Sequence, residues 1–189
     1  MSGGNLAKRV VTLRWIKGSY KHLIIWAVVL VYLLAANPLY VRFVLKNGKP
    51  LTTPVQLPAA SPRVTYKLGD FQTVLYEGEN LYQLKAYAFL ADNPATGNKI
   101  SAVLTSPERQ VVFPTLPQPH PNMIQSYSGY KPAMDPAEFI LLISNNALPT
   151  GDYQIGFLLE EKNGTGRAYV STGAQIIATP NTIRYVAAP

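Results

Sequence analysis

The sequence predicts an antiparallel β-sandwich that is fastened to a membrane by one N-terminal transmembrane helix. Two observations predict this fold class. Residues 23–36 form an apolar stretch without charge, Gly or Pro, and the apolar character continues to Leu45 with Arg42 as its one formal charge. Beyond residue 62, short β-prone runs alternate with turn signals, and none of them follows the 3.6-residue period of an amphipathic helix.

The apolar run is long enough to cross a bilayer. At about 1.5 Å per residue, residues 23–45 would span the roughly 30 Å of a hydrocarbon core. We therefore predict a transmembrane helix over residues 20–46. A cleaved signal peptide is an alternative, but its basic region would be unusually long and Leu34 stands where the cleavage site needs a small residue. A buried core helix of a soluble protein is a third interpretation.

Charge is distributed unevenly along the chain. Residues 1–49 contain eight Lys and Arg and no Asp or Glu, whereas residues 50–189 contain nine basic and ten acidic residues. The net charge of +7 therefore belongs to the membrane segment and its flanks, and the large domain lacks the basic footprint of a nucleic-acid partner. Five cations precede the span and three follow, which predicts a cytoplasmic N-terminus and an extracytoplasmic domain.

The absence of Cys excludes a disulfide framework, so the domain must be held by its core. The absence of Cys fits a domain that lies in the periplasm or at the cell surface. At the other end of the chain, residues 1–19 are predicted to form a basic cytoplasmic arm, either amphipathic on the inner leaflet or disordered.

Three residues of the predicted span are candidate contacts with lipid or with other membrane helices. Trp26 and Tyr32 are aromatic, and Asn37 precedes a Pro. Asn37 could hydrogen-bond a neighbouring helix, or it could lie at the outer interface, where Pro38 would begin a short second helix.

A Pro-rich segment over residues 47–62 follows. Its prolines recur every fourth residue from Pro50 to Pro62, which predicts an extended chain reaching on the order of 40 Å at about 3.1 Å per residue. It is either a linker docked on a partner's surface or a plain stalk. The apolar residues that we expect to contact the partner are Leu51, Val55 and Leu57.

Residues 63–189 form the predicted β-domain, which is large enough for one core. The predicted strands cover residues 63–68, 71–76, 80–91, 99–106, 109–113, 138–144, 152–162, 166–178 and 182–186. The predicted core includes Val74, Leu84, Val103, Ile140, Leu142, Ile155, Phe157 and Ile176.

A local motif narrows the type of sandwich. The sequence Leu-Pro-Thr-Gly-Asp-Tyr over residues 148–153 resembles the corner that precedes a central strand in immunoglobulin-like and fibronectin-like domains. This resemblance covers about 30 residues and implies an immunoglobulin-like β-sandwich. It also implies that the Tyr153 hydroxyl bonds back to the backbone beyond Gly151, so both residues are structural candidates.

The stretch of residues 114–136 contains six prolines and is long for a loop inside a compact domain. Tyr127 and Tyr130 make it a candidate contact loop, because aromatic side chains offer large contact area at low entropic cost. The alternatives are a strand-crossing loop packed on its own sandwich and a disordered loop.

Residues for catalysis are sparse. His22 lies at the membrane edge, His120 is the one His of the domain, and the carboxylates are scattered. We therefore expect no enzyme, no cofactor and no metal site.

These observations predict a single-pass accessory or structural subunit of a larger membrane complex, with the lipid bilayer and other membrane subunits as partners. A membrane-tethered binding module for carbohydrate or peptide at the cell surface is the alternative.

Overall fold

The computed structural model describes residues 21–32, 42–43, 45–51, 55–76, 78–92, 99–162 and 166–188. The chain divides into two units, Met1–Phe43 and Val44–Pro189. The predicted cytoplasmic arm lies outside the described residues, as do residues 33–41 and 44 of the predicted span.

The first unit contains helix α1, residues 21–32. All twelve of its residues are exposed. Among the described residues, no helix combines the length and the apolarity that a membrane crossing requires.

The second unit contains eight strands. They are β1 (Val64–Tyr76), β2 (Glu79–Leu90), β3 (Lys99–Thr105), β4 (Gln110–Pro117), β5 (Glu138–Ser144), β6 (Gly151–Glu160), β7 (Arg167–Ala178) and β8 (Ile183–Val186). Three short 3-10 segments, Ile124–Ser126, Pro132–Ala137 and Asn145–Ala147, lie between them. The predicted all-β class is confirmed, and the two runs predicted over residues 63–76 form the single strand β1.

The strands form one antiparallel sheet in the order β1-β2-β5-β4-β3-β6-β7-β8. Strand β4 lies at its turning point, because residues 110–114 pair with β3 and residues 115–117 pair with β5. The sheet folds back on itself, so that β1 approaches β7 and β8. The Tyr66 hydroxyl donates to the Thr172 carbonyl at 3.3 Å, and Phe71 stacks on Tyr185 with ring centroids 5.5 Å apart. The result is a near-barrel with two facing layers.

Two bulges bend the strands. In β1, Gly69 and Asp70 together oppose Lys85, because the register shifts between Leu68 and Phe71. In β7, three residues around Gly173 oppose Ile155, and Gly173 has a positive φ of 75° that favours Gly. Such bulges increase the local twist that lets a sheet fold over itself.

The main core lies between the two layers. Of the predicted core residues, Leu84, Ile155, Phe157 and Ile176 belong to it. Val103 is buried in a separate cluster on the outer face of the sheet, where it contacts Val112 and Leu158. The other three predicted core residues lie elsewhere.

The prediction for β5 chose the wrong face. Phe139, Leu141 and Ile143 enter the main core. Leu142 is buried on the opposite face, where Ile140 is only partly buried. The run Phe139–Ile143 is apolar on both faces, so alternation along the sequence gives no information on which face is the core. Val74, another predicted core residue, is only partly buried, and it pairs with Leu81 of the outer face near the β1–β2 hairpin.

Candidate functional site

Residues 45–61, here called the strap, run from the start of the second unit to the first strand. Leu45 packs against a small cluster formed by buried Leu81 and Leu142. The Gly48 carbonyl accepts a hydrogen bond from the Ser144 N–H at 2.9 Å. Gly48 is itself buried, and a Cβ there would lie 3.3 Å from the Leu81 Cδ2. The beginning of the strap is therefore fixed to the ends of β2 and β5.

The strap then crosses β4 and reaches β7. The Leu51 N–H donates to the Val112 carbonyl at 2.6 Å, and the Ser61 N–H donates to the Tyr169 carbonyl at 2.8 Å. Near its end, Ala60 forms a parallel bridge with Tyr169. The strap is thus bonded to the sheet at both of its ends.

Side chains hold the middle of the strap. Val55 and Leu57 are half-buried against the outer cluster of Val103, Val112 and Leu158. The Gln110 side-chain amide adds a hydrogen bond to the Val55 carbonyl at 2.9 Å. Burial of apolar area stabilises this contact by about 25 cal/mol per Å².

The Pro-rich segment was expected to be a plain stalk or a linker docked on a partner, and its described residues lie along the chain's own sheet. Val55 and Leu57 are half-buried by the domain itself, and their role as partner contacts stays a prediction. Leu51 keeps 38% exposure, so its role as a contact stays a prediction. Prolines suit this strap, because an extended chain can lie flat on a sheet without forming a helix.

The loop of residues 118–137 packs on the outer face of β2. Ile124, Met134 and Ala137 are buried there against Tyr87 and Phe89. The loop is therefore packed on its own sandwich, which was one of the expected alternatives, and the role of Tyr127 and Tyr130 as partner contacts stays a prediction.

Both tyrosines of that loop have partners within the domain. The Tyr127 ring meets Phe89 edge to face with centroids 5.3 Å apart. The Tyr130 hydroxyl donates to the Asp135 carboxylate, and this hydrogen bond raises the pKa of Tyr130. Each ring is half-buried, so neither presents its full surface to a partner.

A buried carboxylate ties this crossing loop to β5. Glu138 is 1% exposed, and its Oε2 accepts hydrogen bonds from the Met123 N–H at 2.8 Å and the Ile124 N–H at 2.9 Å. Its Oε1 is buried without a hydrogen-bond partner. Sequence reasoning missed this role. The signal available was a single Glu immediately before the apolar strand β5.

The corner before β6 has the geometry expected from its motif. Tyr153 is 1% exposed, and its hydroxyl donates to the Pro149 carbonyl at 2.9 Å. Burial is the largest cause that raises the pKa of Tyr153. Gly151 opens β6 beside this ring, where an added Cβ would lie 3.5 Å from the Tyr153 Cε2. Both residues therefore serve the fold.

The membrane candidates are placed only in part. Trp26 and Tyr32 lie on α1, and each is 70% exposed. Asn37 lies outside the described residues.

The cavities of the second unit include two that are lined by described residues. The larger, of about 420 Å³, is open and is lined by Lys49, Pro50, Ser144, Asn146 and Ala147. The smaller, of about 130 Å³, is lined by Lys99, Ile100, Thr115, Pro117, Pro136 and Phe139. The described residues that line the larger cavity are polar or small and include no aromatic side chain.

Within the part of the chain that the structure describes, no three His, Asp or Glu side chains converge as a metal site would require. Comparisons with protein-family models, with curated proteins and with solved structures gave no match. The functional argument therefore rests on the residues themselves.

Proposed function

We propose that this protein is a single-pass membrane protein and an accessory or structural subunit of a larger membrane complex, with its β-domain on the extracytoplasmic side. The surface of α1 is the observation that carries the proposal. Leu23, Ile25 and Val31 point to different sides of the helix and are 66%, 58% and 64% exposed. A helix that is apolar on every side has no face suited to water, so it needs lipid or protein around it.

The sequence around α1 supports the same proposal. The apolar run continues beyond the twelve residues of the helix to Leu45, and a span of roughly 20 residues is what a bilayer requires. The cations are more numerous before the run than after it, which favours the cytoplasm for the N-terminus.

We further propose that the domain is immunoglobulin-like. Strands β1, β2 and β5 would correspond to strands A, B and E of that fold, and β3, β6 and β7 to strands C, F and G. The hydrogen bond from Tyr153 to Pro149, at the start of the strand that corresponds to F, supports this assignment.

The proposed subunit contacts lie on the membrane segment. The strap and the crossing loop are engaged by the domain itself, and residues 50–189 carry almost no net charge that could steer a distant partner. Trp26 and Tyr32 are the large side chains of α1 through which a neighbouring helix would be recognised.

Single-cysteine labelling tests the anchor and its orientation, because the chain has no Cys of its own. We would place one Cys in the arm, Ser2→Cys, and one at an exposed turn of the domain, Lys162→Cys. In intact cells a membrane-impermeant maleimide should label the second variant alone, and detergent should make the first reactive. Recovery of the chain in the soluble fraction after carbonate washing, or the reverse labelling pattern, would contradict the proposal.

Native mass analysis after mild detergent extraction tests the subunit role. The wild-type chain should be recovered in a larger complex with fixed stoichiometry. The double variant Trp26→Leu and Tyr32→Leu should stay in the membrane yet lose that complex, while the control Leu30→Ile keeps it. A wild-type chain recovered only as a monomer would refute the role as a subunit.

A further inference from the structure

The end of the domain at the β1–β2 hairpin combines two features that concern the bilayer. Leu45, the last residue of the apolar run, packs beside this hairpin against Leu81. Leu75, on the hairpin itself, is 71% exposed and is the most exposed large apolar residue among the described residues of the second unit.

Leu45, at the end of the apolar run, is fixed to this end of the domain. Its side chain is already in contact with the cluster around Leu81 and Leu142. Three residues later, the Gly48 carbonyl is bonded to the Ser144 N–H. If the membrane segment ends at Leu45, as the proposed anchor implies, this end of the domain lies close to the bilayer surface, because Leu45 itself packs against Leu81.

The register places Leu75 near that attachment point. Leu75 pairs with Asn80, and Asn80 is the neighbour of Leu81, which Leu45 contacts. Strands lie about 4.8 Å apart and rise about 3.3 Å per residue, so Leu75 lies on the order of 10 Å from Leu45. That distance is comparable to the depth of the headgroup region in which amphipathic surfaces bind.

The other turns at this end are polar. The antiparallel register brings the β3–β4 turn at residues 106–109 and the β7–β8 turn at residues 179–182 to the same end as Ser144. The Asn145 side chain, which donates to the Pro180 carbonyl at 3.3 Å, joins the β5 end to the second of these turns. Leu75 is thus an apolar projection on an otherwise polar rim.

We propose that the β1–β2 hairpin end of the domain rests on the lipid surface and that Leu75 enters the interfacial region of the bilayer. This inference rests on the proposed membrane anchor and adds which face of the domain meets the lipid. The partner is the lipid surface itself. Burial of the Leu75 side chain would stabilise the contact, because transfer of apolar area out of water is favourable.

Site-specific fluorescence tests the contact in the full-length chain, reconstituted in phosphatidylcholine vesicles. Leu75→Cys carries an environment-sensitive fluorophore, and Ala91→Cys is the matched control. Ala91 is exposed and follows β2 at its other end, about 40 Å away for a twelve-residue strand. Lipids with a quencher near the headgroup should reduce the Leu75→Cys emission about threefold more than the Ala91→Cys emission.

The native tryptophans separate the two levels of the proposal, because Trp15 and Trp26 both precede the domain. If lipid quenchers reduce the Trp emission but leave the Leu75→Cys probe as in water, the anchor holds and the hairpin contact is overturned. A Leu75→Cys probe that is shielded from water yet insensitive to lipid quenchers would reveal a protein cover and would also overturn the contact. If the Trp emission is itself unaffected, the anchor fails and the contact fails with it.

Discussion

Two adjacent leucines of β5 offer a matched test of where the core lies. Leu141 is fully buried and belongs to the main core between the two layers. Leu142 is 7% exposed and belongs to the small cluster with Leu81 on the outer face. We would replace each by Ala in turn. Both variants replace Leu by Ala in the same strand, so a difference between their free energies of unfolding reports how tightly each side chain is packed.

The expected costs follow from the burial of each side chain. Removal of a fully buried Leu side chain leaves a cavity that rigid neighbours cannot fill, and Leu141→Ala should lower the free energy of unfolding by about 4 kcal/mol. Leu142→Ala should cost about 2 kcal/mol, because the partly buried Leu45 and Ile140 beside it can move into the space. The predicted difference is therefore about 2 kcal/mol.

Urea unfolding in detergent micelles measures both values. The signal would be near-ultraviolet circular dichroism of the tyrosines, because the domain contains no Trp. If the free energy of unfolding falls with urea concentration at the same slope in both variants, both expose the same amount of surface on unfolding. Equal losses, or a larger loss for Leu142→Ala, would refute the assignment of the β5 faces.

Three further predictions concern the tyrosines. Tyr153→Phe should lower the free energy of unfolding by about 1–2 kcal/mol, because the Pro149 carbonyl loses its donor. An unchanged free energy of unfolding in the same urea assay would show that this hydrogen bond does not stabilise the domain. Tyr127→Ala should lower the free energy of unfolding by about 1–2 kcal/mol, because the contact of its ring with Phe89 is lost. The control Gln125→Ala, at an exposed residue of the same loop, should change it by less than about 0.5 kcal/mol. Equal effects of the two variants would mean that the crossing loop is not packed on the domain. Four tyrosines have a folded-state pKa raised above 10.0, so the folded state keeps their protons longer than the unfolded state, and stability should fall as pH rises above about 10. Urea unfolding at several pH values would measure this loss, and stability that rises with pH in this range would contradict the raised pKa values. The four are Tyr87, Tyr130, Tyr153 and Tyr185.

The strands were the most predictable part of the fold. Turn residues separate short apolar or alternating runs, and this pattern locates strands because Gly, Pro, Asn and Asp interrupt pairing. The corner at Tyr153 was also predictable, since its hydrogen bond is local and spans only four residues. Both signals lie within a few residues along the chain.

Features that depend on distant residues could not be predicted. The face of β5 that enters the core is set by which strands it meets, and both of its faces are apolar. The role of Glu138 depends on two N–H groups that lie 14 and 15 residues earlier in the chain. A charge at the start of an apolar run would ordinarily be assigned to solvent, since Glu is rarely buried.

The position of the Pro-rich segment on the sheet also depends on residues that are distant in the sequence. Its spacing predicted an extended chain, but a sequence cannot indicate which surface an extended apolar segment will cover. Val55 and Leu57 pack on the outer face of β3, β4 and β6 of the same domain. The apolar character of these two residues was predicted correctly, and their role as partner contacts stays a prediction.

The described residues of the strap are part of the domain, because they are bonded to its sheet before and after residues 52–54. Hydrogen exchange of the strap amides in the full-length chain tests this central claim most directly. The Leu51 and Ser61 N–H groups donate to carbonyls of β4 and β7, so they should exchange at least about 100-fold more slowly than in an unstructured peptide. Exchange of both amides at the unstructured rate, while the amides of β6 remain protected, would show a free stalk and contradict the account.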